Sequence, residues 1–260
     1  MTMATPNPLK EAIRTGDPQI GLLCNLASSY ALEVTAGAGF DWMLIDCEHS
    51  PADLENVLHQ LQALAAYPTA PVVRVPWNDM VAIKRYLDIG AQSLLIPYVE
   101  TVEQARSAVA STRYPPAGVR GVALATRASG FGRFPGYAPR AHEEIVVIAQ
   151  IENQAGLESL EAIAAVDGVD ALLIGPSDLH AAFGHVGETT NPEIVPIIDD
   201  AISRIVATGK TAGVFAPAEE LARHWIDLGA RLVLVGTDIG VLARGSDALA
   251  QKFRRADGTA

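Results

Sequence analysis

Lysine is scarce in this chain of 260 residues, which has only Lys10, Lys84, Lys210 and Lys252. Lys84 falls in a helical pattern and Lys210 precedes an apolar run, so no lysine stands where an amine would condense with a carbonyl, and imine chemistry is not expected. Cysteine is scarcer still. Cys24 and Cys47 lie in or at the end of apolar runs and form neither a disulfide framework nor a metal-ligand spacing, so both are expected as buried thiols. No apolar run approaches the ~20 residues that a membrane span needs, and the segment MTMATPNPLKEAIRTGD has no apolar stretch of the secretory type. These absences read as a soluble, cytoplasmic protein. Positive charge is also short: 19 Lys and Arg stand against 30 Asp and Glu, a net charge of −11. Such a field repels nucleic acid and anionic membrane, and an acidic substrate would have to meet a local cation or a metal. There is no P-loop, no nucleophile elbow and no clear dinucleotide fingerprint.

What the chain does have is apolar residues, 49% of the total, with 22 glycines and 16 prolines spread as punctuation. Eight short apolar runs, at 20–25, 42–46, 72–75, 93–97, 145–151, 171–174, 211–215 and 232–235, read as strands. Their apolarity is continuous rather than alternating, which fits parallel strands covered on both faces. Helical patterns lie between them at 51–66, 79–88, 102–110, 157–166, 192–208 and 218–228, with Asp79, Thr101 and Asn191 where N-caps are expected. A degenerate phrase recurs as GAGFDWMLID, DIGAQSLLIP, VDGVDALLIG and LGARLVLVG. Each is a glycine ending a helix, a short loop and a buried strand, the mark of repeated βα units. The expected fold class is therefore α/β, a (β/α)₈ barrel formed as one domain over residues 1–260, with 1–18 as an N-terminal extension. Segment 113–144, rich in Gly, Pro and Arg, is out of pattern. Its length marks it as functional or disordered.

Active sites of such barrels lie at the carboxyl ends of the strands. Those ends hold Asn25, Asp46 to His49, Arg74, Pro97, Gln150 to Glu152, Gly175 to Asp178, Phe215 and Gly236 to Asp238. Glu152 and Asp178 end consecutive strands, where two carboxylates with waters and substrate oxygens suit a hard divalent ion. Either acid is equally suited to cap the helix that follows. The turn from Gly175 to Asp178 offers backbone N–H groups to a carboxylate, or simply starts a helix. His49 follows a run of acids, and Asp46 or Asp88 is a candidate to orient its imidazole, although a lone histidine is more often structural. Arg74 presents a planar fork for a carboxylate or enolate oxygen, or makes a rim salt bridge. His59, His142, His185 and His224 show no ligand spacing. His180, just past Asp178, stays open.

Taken together, Leu44-Ile45-Asp46-Cys47-Glu48-His49, Val73-Arg74-Val75-Pro76-Trp77-Asn78-Asp79, Gly90-Ala91-Gln92-Ser93-Leu94-Leu95-Ile96-Pro97, Arg113-Tyr114-Pro115-Pro116, Arg120-Gly121 and Ile174-Gly175-Pro176-Ser177-Asp178-Leu179 resemble the HpcH/HpaI family. These are class II 2-keto-acid aldolases, among them 4-hydroxy-2-oxoheptanedioate and 2-keto-3-deoxy-sugar-acid aldolases. The resemblance implies a TIM barrel in which Glu152 and Asp178 hold Mg²⁺, Mn²⁺ or Co²⁺. By the same resemblance Arg74 binds the ketone oxygen and stabilises the enolate, and His49 is the base, with Asp46 and Asp88 as its acidic partners. Gln150 then lies at the pyruvate site, and the backbone at Ser177 and Asp178 cradles the carboxylate. It further implies a small keto acid and an aldehyde as substrates, segment 113–144 over the aldehyde side, and a homohexamer, a trimer of dimers, with a C-terminal helix packed on a neighbour. Two rival readings are a malyl- or citramalyl-CoA-type lyase, for which no basic cluster suited to CoA is found, and a non-catalytic keto-acid-binding barrel.

Overall fold

The computed structural model describes residues 6–188 and 190–254. Its strands are β1 (Gln19–Cys24), β2 (Trp42–Asp46), β3 (Ala70–Arg74), β4 (Ser93–Ile96), β5 (Val146–Ile151), β6 (Ala171–Ile174), β7 (Thr211–Phe215) and β8 (Ala230–Thr237). They are all parallel, and β1 pairs with both β2 and β8, so the sheet closes in sequence order. The helices are α1 (Pro8–Thr15), α2 (Ser29–Ala36), α3 (Leu54–Leu64), α4 (Met80–Asp88), α5 (Val102–Thr112), α6 (Tyr137–Arg140), α7 (Gln154–Glu158), α8 (Leu160–Ala164), α9 (Pro176–Ala182), α10 (Val195–Ala207), α11 (Glu219–Asp227) and α12 (Asp238–Phe253). None of them is long and apolar enough to cross a membrane.

Closure divides each strand between two cores. Trp42 and Leu44 point into the barrel with Val72, Leu95, Ile148, Leu173, Leu232 and Leu234. Their neighbours Met43 and Ile45 point outward, into the layer under the helices. Both sets are apolar, which is why the strands read as continuous runs. The extension places α1 across the amino ends of the strands: Leu9 joins the inner core, and the Asn7 side chain donates to Ser93 Oγ (2.9 Å) and to the carbonyl of Glu144 (2.9 Å). Residues 1–5 of that extension, and 255–260 at the other end of the expected domain, lie outside the described residues.

The expected caps hold at α4, where Asp79 accepts from Ala82 N–H, and at α5, where Thr101 and Gln104 form a capping box. They fail at Asn191. Its side chain accepts from Glu193 N–H (2.8 Å), a local turn that competes with helix, and α10 begins only at Val195. The helix expected at 157–166 is two short ones, α7 and α8, interrupted at Ser159.

Segment 113–144 is ordered but lies at the other face from the one expected. It leaves the end of α5 and returns to the start of β5, both at the amino end of the barrel. There Arg120, fully buried, donates to Asp88 Oδ1 (2.7 Å) and stacks on Tyr114 (4.5 Å), while Arg127 Nη1 donates to the carbonyl of Ile89 (2.8 Å). Within one chain it does not cover the carboxyl ends of the strands.

Gly21 leaves no room for a side chain in the inner core. A Cβ there would fall 2.5 Å from Cε2 of Trp42, which is fully buried and fixed by Nε1–H donation to the Gln19 carbonyl (3.0 Å). Gly21→Ala is expected to destabilise the fold by about 1–3 kcal/mol, read as a lower midpoint in urea. An unchanged midpoint would mean that Trp42 is free to move.

Candidate active site

The register of β2 against β3 pairs Asp46 with Arg74, and these two residues organise the rim. Asp46 has no exposed surface and Arg74 is 8% exposed. Arg74 Nε donates to Asp46 Oδ1 at 2.8 Å, and Arg74 Nη1 lies 3.1 Å from Glu48 Oε2. Burial works against the guanidinium, but the hydrogen bond and charge of Asp46, followed by the charges of Glu48 and Glu152, raise its pKa above the ordinary value. Asp46 Oδ1 also accepts the N–H of Glu48 (3.0 Å) and of His49 (3.4 Å), and its Oδ2 accepts from Asn25 Nδ2 (2.7 Å). A buried charge pair is tolerated only when its remaining polar sites are filled in this way.

The arginine opens on a cavity of about 410 Å³ at the carboxyl end of the barrel. Leu23, Leu44, Leu95, Leu173, Phe215 and Leu234 make its apolar floor, while Asn25, His49, Arg74, Gln150, Ser177, Asp178 and Thr237 supply polar groups. This is the composition of a small-molecule site, with few polar groups over an apolar base.

Glu152 follows β5 and is 2% exposed. Burial pushes its carboxyl from the ordinary 4.5 up to about 7; Glu48 and Asp178 add repulsion, and hydrogen bonds from Tyr98 N–H and Gln150 oppose the rise. Tyr98 N–H donates to Glu152 Oε1 at 2.8 Å from a left-handed backbone (φ +53°), a conformation that costs free energy in a bulky residue. Gln150 Nε2 donates to Glu152 Oε2, and Gln150 Oε1 is buried without a protein partner. Gly175 makes room for both: a Cβ there would fall 2.8 Å from Glu152 Oε2 and 2.9 Å from Gln150 Nε2. It is also the N-cap of α9 and, having no side chain, leaves the first-turn N–H groups at Ser177 and Asp178 uncapped beside the cavity.

The expected site residues therefore divide. Arg74, His49, Gln150, Ser177 and Asp178 line one cavity, and Glu152 lies against Gln150 and Gly175 at its edge. Asp46 sits beneath Arg74 and takes the backbone of His49, not its ring. Asp88 is not brought to the site within this chain: it ends α4 at the opposite face and is paired with Arg120. The carboxylate facing the imidazole is Glu48, with Oε2 at 3.8 Å from His49 Nε2. The His49 side chain is itself 63% exposed, at the lining of the cavity. His180 is buried in α9, with Nδ1 2.6 Å from the Pro176 carbonyl, and holds the turn rather than facing the cavity. Glu48 and Tyr98 are the residues that sequence reasoning passed over. Glu48 stood in the acidic run beside His49, a signal that was present. Tyr98 acts through a backbone N–H in an unusual conformation, which leaves no mark in sequence.

Among the described residues no three His, Cys, Asp or Glu side chains converge as a closed metal centre. A hard divalent ion would have to rest on two carboxylates and complete its shell from water and substrate. Glu152 and Asp178 fit that demand, because a cation between them relieves the repulsion that burial enforces.

The sequence pattern of the HpcH/HpaI aldolase/citrate lyase family matches residues 19–245. The chain is 55% identical over 247 residues to the pyruvate aldolase of Rhizobium etli, covering 95% of this chain and 97% of that one. It is 53% identical over 249 residues to the hydroxypyruvate/pyruvate aldolase of Deinococcus radiodurans, covering 95% and 90%. A crystal structure of a family protein from Burkholderia cenocepacia superimposes with a TM-score of 0.91 at 39% identity, covering 96% of this chain and all of that one.

The raised Glu152 carboxyl has a measurable sign. Between pH 4.5 and about 7 the folded chain keeps a proton that the unfolded chain has lost. Stability of chelator-treated protein should therefore fall as pH rises through that window, by up to about 3 kcal/mol. Glu152→Gln should flatten this slope in urea titrations at pH 5 and pH 8. Equal slopes in the two proteins would contradict the buried-carboxylate assignment.

Proposed function

The chain belongs to the HpcH/HpaI aldolase/citrate lyase family, and on that premise we propose that it joins or cleaves the bond between a pyruvate-type enolate and an aldehyde, with a divalent cation resting on Glu152 and Asp178. The protein is an aldolase, a carbon–carbon lyase. The donor is pyruvate or hydroxypyruvate, and the products of addition are 4-hydroxy-2-keto acids. The observation that carries this reading is the buried Arg74, locked by Asp46 and Glu48 and opening on the same cavity as Asp178 and Gln150.

The cation, Mg²⁺, Mn²⁺ or Co²⁺, supplies Lewis acidity when bound, drawing charge from the keto acid's oxygens. The uncapped N–H groups at Ser177 and Asp178 bind the carboxylate of the keto acid. Arg74 donates to the ketone oxygen. Because its guanidinium is already held in place and largely out of water, it stabilises the negative charge that develops there without reorganising. In cleavage, His49 takes the proton of the 4-hydroxyl, the C3–C4 bond breaks, and the aldehyde leaves from the open mouth. The enolate then takes at C3 the proton carried by the His49 imidazolium, which restores the base. Glu48 faces the imidazole at 3.8 Å, a part that Asp46, committed to Arg74 and to backbone, does not play. The apolar floor keeps water from the enolate face.

The same reading makes the protein a homohexamer, a trimer of dimers. Its support is α12, which buries only Asp238 and exposes Ile239, Val241, Leu242, Leu249 and Phe253, an apolar face suited to a neighbouring copy.

Exhaustive chelation should abolish aldol cleavage of a 4-hydroxy-2-keto acid, and Mg²⁺, Mn²⁺ or Co²⁺ should restore it. Full activity without metal would refute the cation's part. Arg74→Ala should lower kcat by about 100-fold or more, as loss of one oxyanion donor does. A change confined to KM would make Arg74 a binding residue alone.

A further inference from the structure

Two residues at the rim, Asn25 and Asp238, have no part in the chemistry above, yet both are tied to it by hydrogen bonds. Asn25 follows β1, and Asp238 is the first residue of α12, after β8. Asp238 is 5% exposed and spends its carboxylate on backbone: Oδ1 accepts from Asn25 N–H (2.8 Å) and Ile239 N–H (2.6 Å), and Oδ2 accepts from Leu26 N–H (3.1 Å). The turn after β1 is thereby clamped to the root of α12, and the Asn25 side chain is delivered to the barrel mouth. There its amide donates to Asp46 Oδ2 at 2.7 Å. An amide facing a carboxylate must present its N–H, so the orientation of the Asn25 side chain is determined by its partner.

This contact closes a chain of bonds. Asp46 Oδ1 is already occupied by Arg74 Nε and by the N–H groups of Glu48 and His49. Asn25 is the side chain that fills Oδ2. A fully buried carboxylate with one empty oxygen rotates to satisfy it or draws in water. Either response moves Oδ1, on which the direction of the Arg74 fork depends. We propose that Asn25 is a positioning residue for the aldol reaction: through Asp46 it fixes the aim of Arg74, and Asp238 sets Asn25 by holding residues 25 and 26. The inference rests on the reading of Arg74 as the group that stabilises the enolate oxygen. It also gives α12 a connection to the chemistry, since its first residue anchors the network while the rest of the helix stands clear of the barrel.

The test is kinetic, on metal-loaded enzyme, comparing Asn25→Ala, Asn25→Asp, Arg74→Ala and the double variant Asn25→Ala with Arg74→Ala, each checked by circular dichroism to be folded at the assay temperature. Asn25→Ala removes the donor. Asn25→Asp keeps the shape but sets carboxylate against carboxylate, so steric and donor roles separate. Asn25 is only half-buried, so Asn25→Ala should fold, and it carries the test if Asn25→Asp does not. Asn25→Ala should lower kcat about tenfold, the scale of one hydrogen bond to a charged group, with KM changed much less. Asn25→Asp should be lower still. The double variant should be no slower than Arg74→Ala alone, because a residue acting through Arg74 has nothing left to position. Parental kcat in both Asn25 variants, with Arg74→Ala impaired, would overturn the inference and leave the reading of Arg74 standing. Losses that multiply in the double variant would also overturn it, by showing that Asn25 acts on substrate independently. Parental kcat in Arg74→Ala would overturn both.

Discussion

The Asp46–Arg74 pair is the interaction on which the rest of the site depends. Two opposite charges sit side by side at the ends of neighbouring strands, one fully buried and the other nearly so. Taking either group out of water costs several kcal/mol, and the mutual attraction offsets that cost only where further hydrogen bonds complete both partners. Here Asn25 and two backbone N–H groups complete Asp46 by hydrogen bonds, and Glu48 adds an ion pair to Arg74. The outcome is a cation that cannot relax toward solvent, held in a cavity whose floor is leucine and phenylalanine. That is the condition under which a hydrogen-bond donor is most effective against developing negative charge.

The barrel supplies the geometry for this at little conformational cost. Parallel strands in register bring Asp46 against Arg74, and the ends of β5 and β6 set Glu152 and Asp178 on the same rim. Gly175 lets the backbone of the β6 turn approach Glu152 and Gln150 to a distance no other residue would permit. Glu152 is buried and Asp178 half-buried; burial, with added repulsion from Glu48 and Asp178, raises the Glu152 pKa, a repulsion that a cation would relieve. The negative charge of the whole chain, unhelpful for drawing in a keto acid, is countered at the cavity by one arginine.

Much of this was legible in the sequence, for physical reasons. Buried parallel strands are apolar on both faces, so their polar ends stand out, and reading those ends gathers Arg74, Gln150, Glu152 and Asp178. Asp88 is not brought to the site within one chain: it closes a helical pattern, and the carboxyl ends of helices in this architecture lie opposite the carboxyl ends of the strands. The same topological fact places segment 113–144 at the amino face, where its composition had drawn attention toward substrate. Glu48 and Asp46 were indistinguishable as acids near His49, because the tight turn that separates their roles depends on which oxygen meets which N–H. Tyr98 was beyond reach, since its contribution is a backbone group in a rare conformation.

The most direct test of the central claim, that a fixed Arg74 and a cation on Glu152 and Asp178 together stabilise a pyruvate enolate, needs no aldehyde. Pyruvate is incubated with Mg²⁺-loaded protein in D₂O and its methyl proton signal is followed by NMR. Loss of that signal is predicted for the parent protein, with strong suppression after chelation and in Arg74→Ala. A methyl signal that persists with the metal-loaded parent, or that decays equally fast without Arg74, would contradict the assignment.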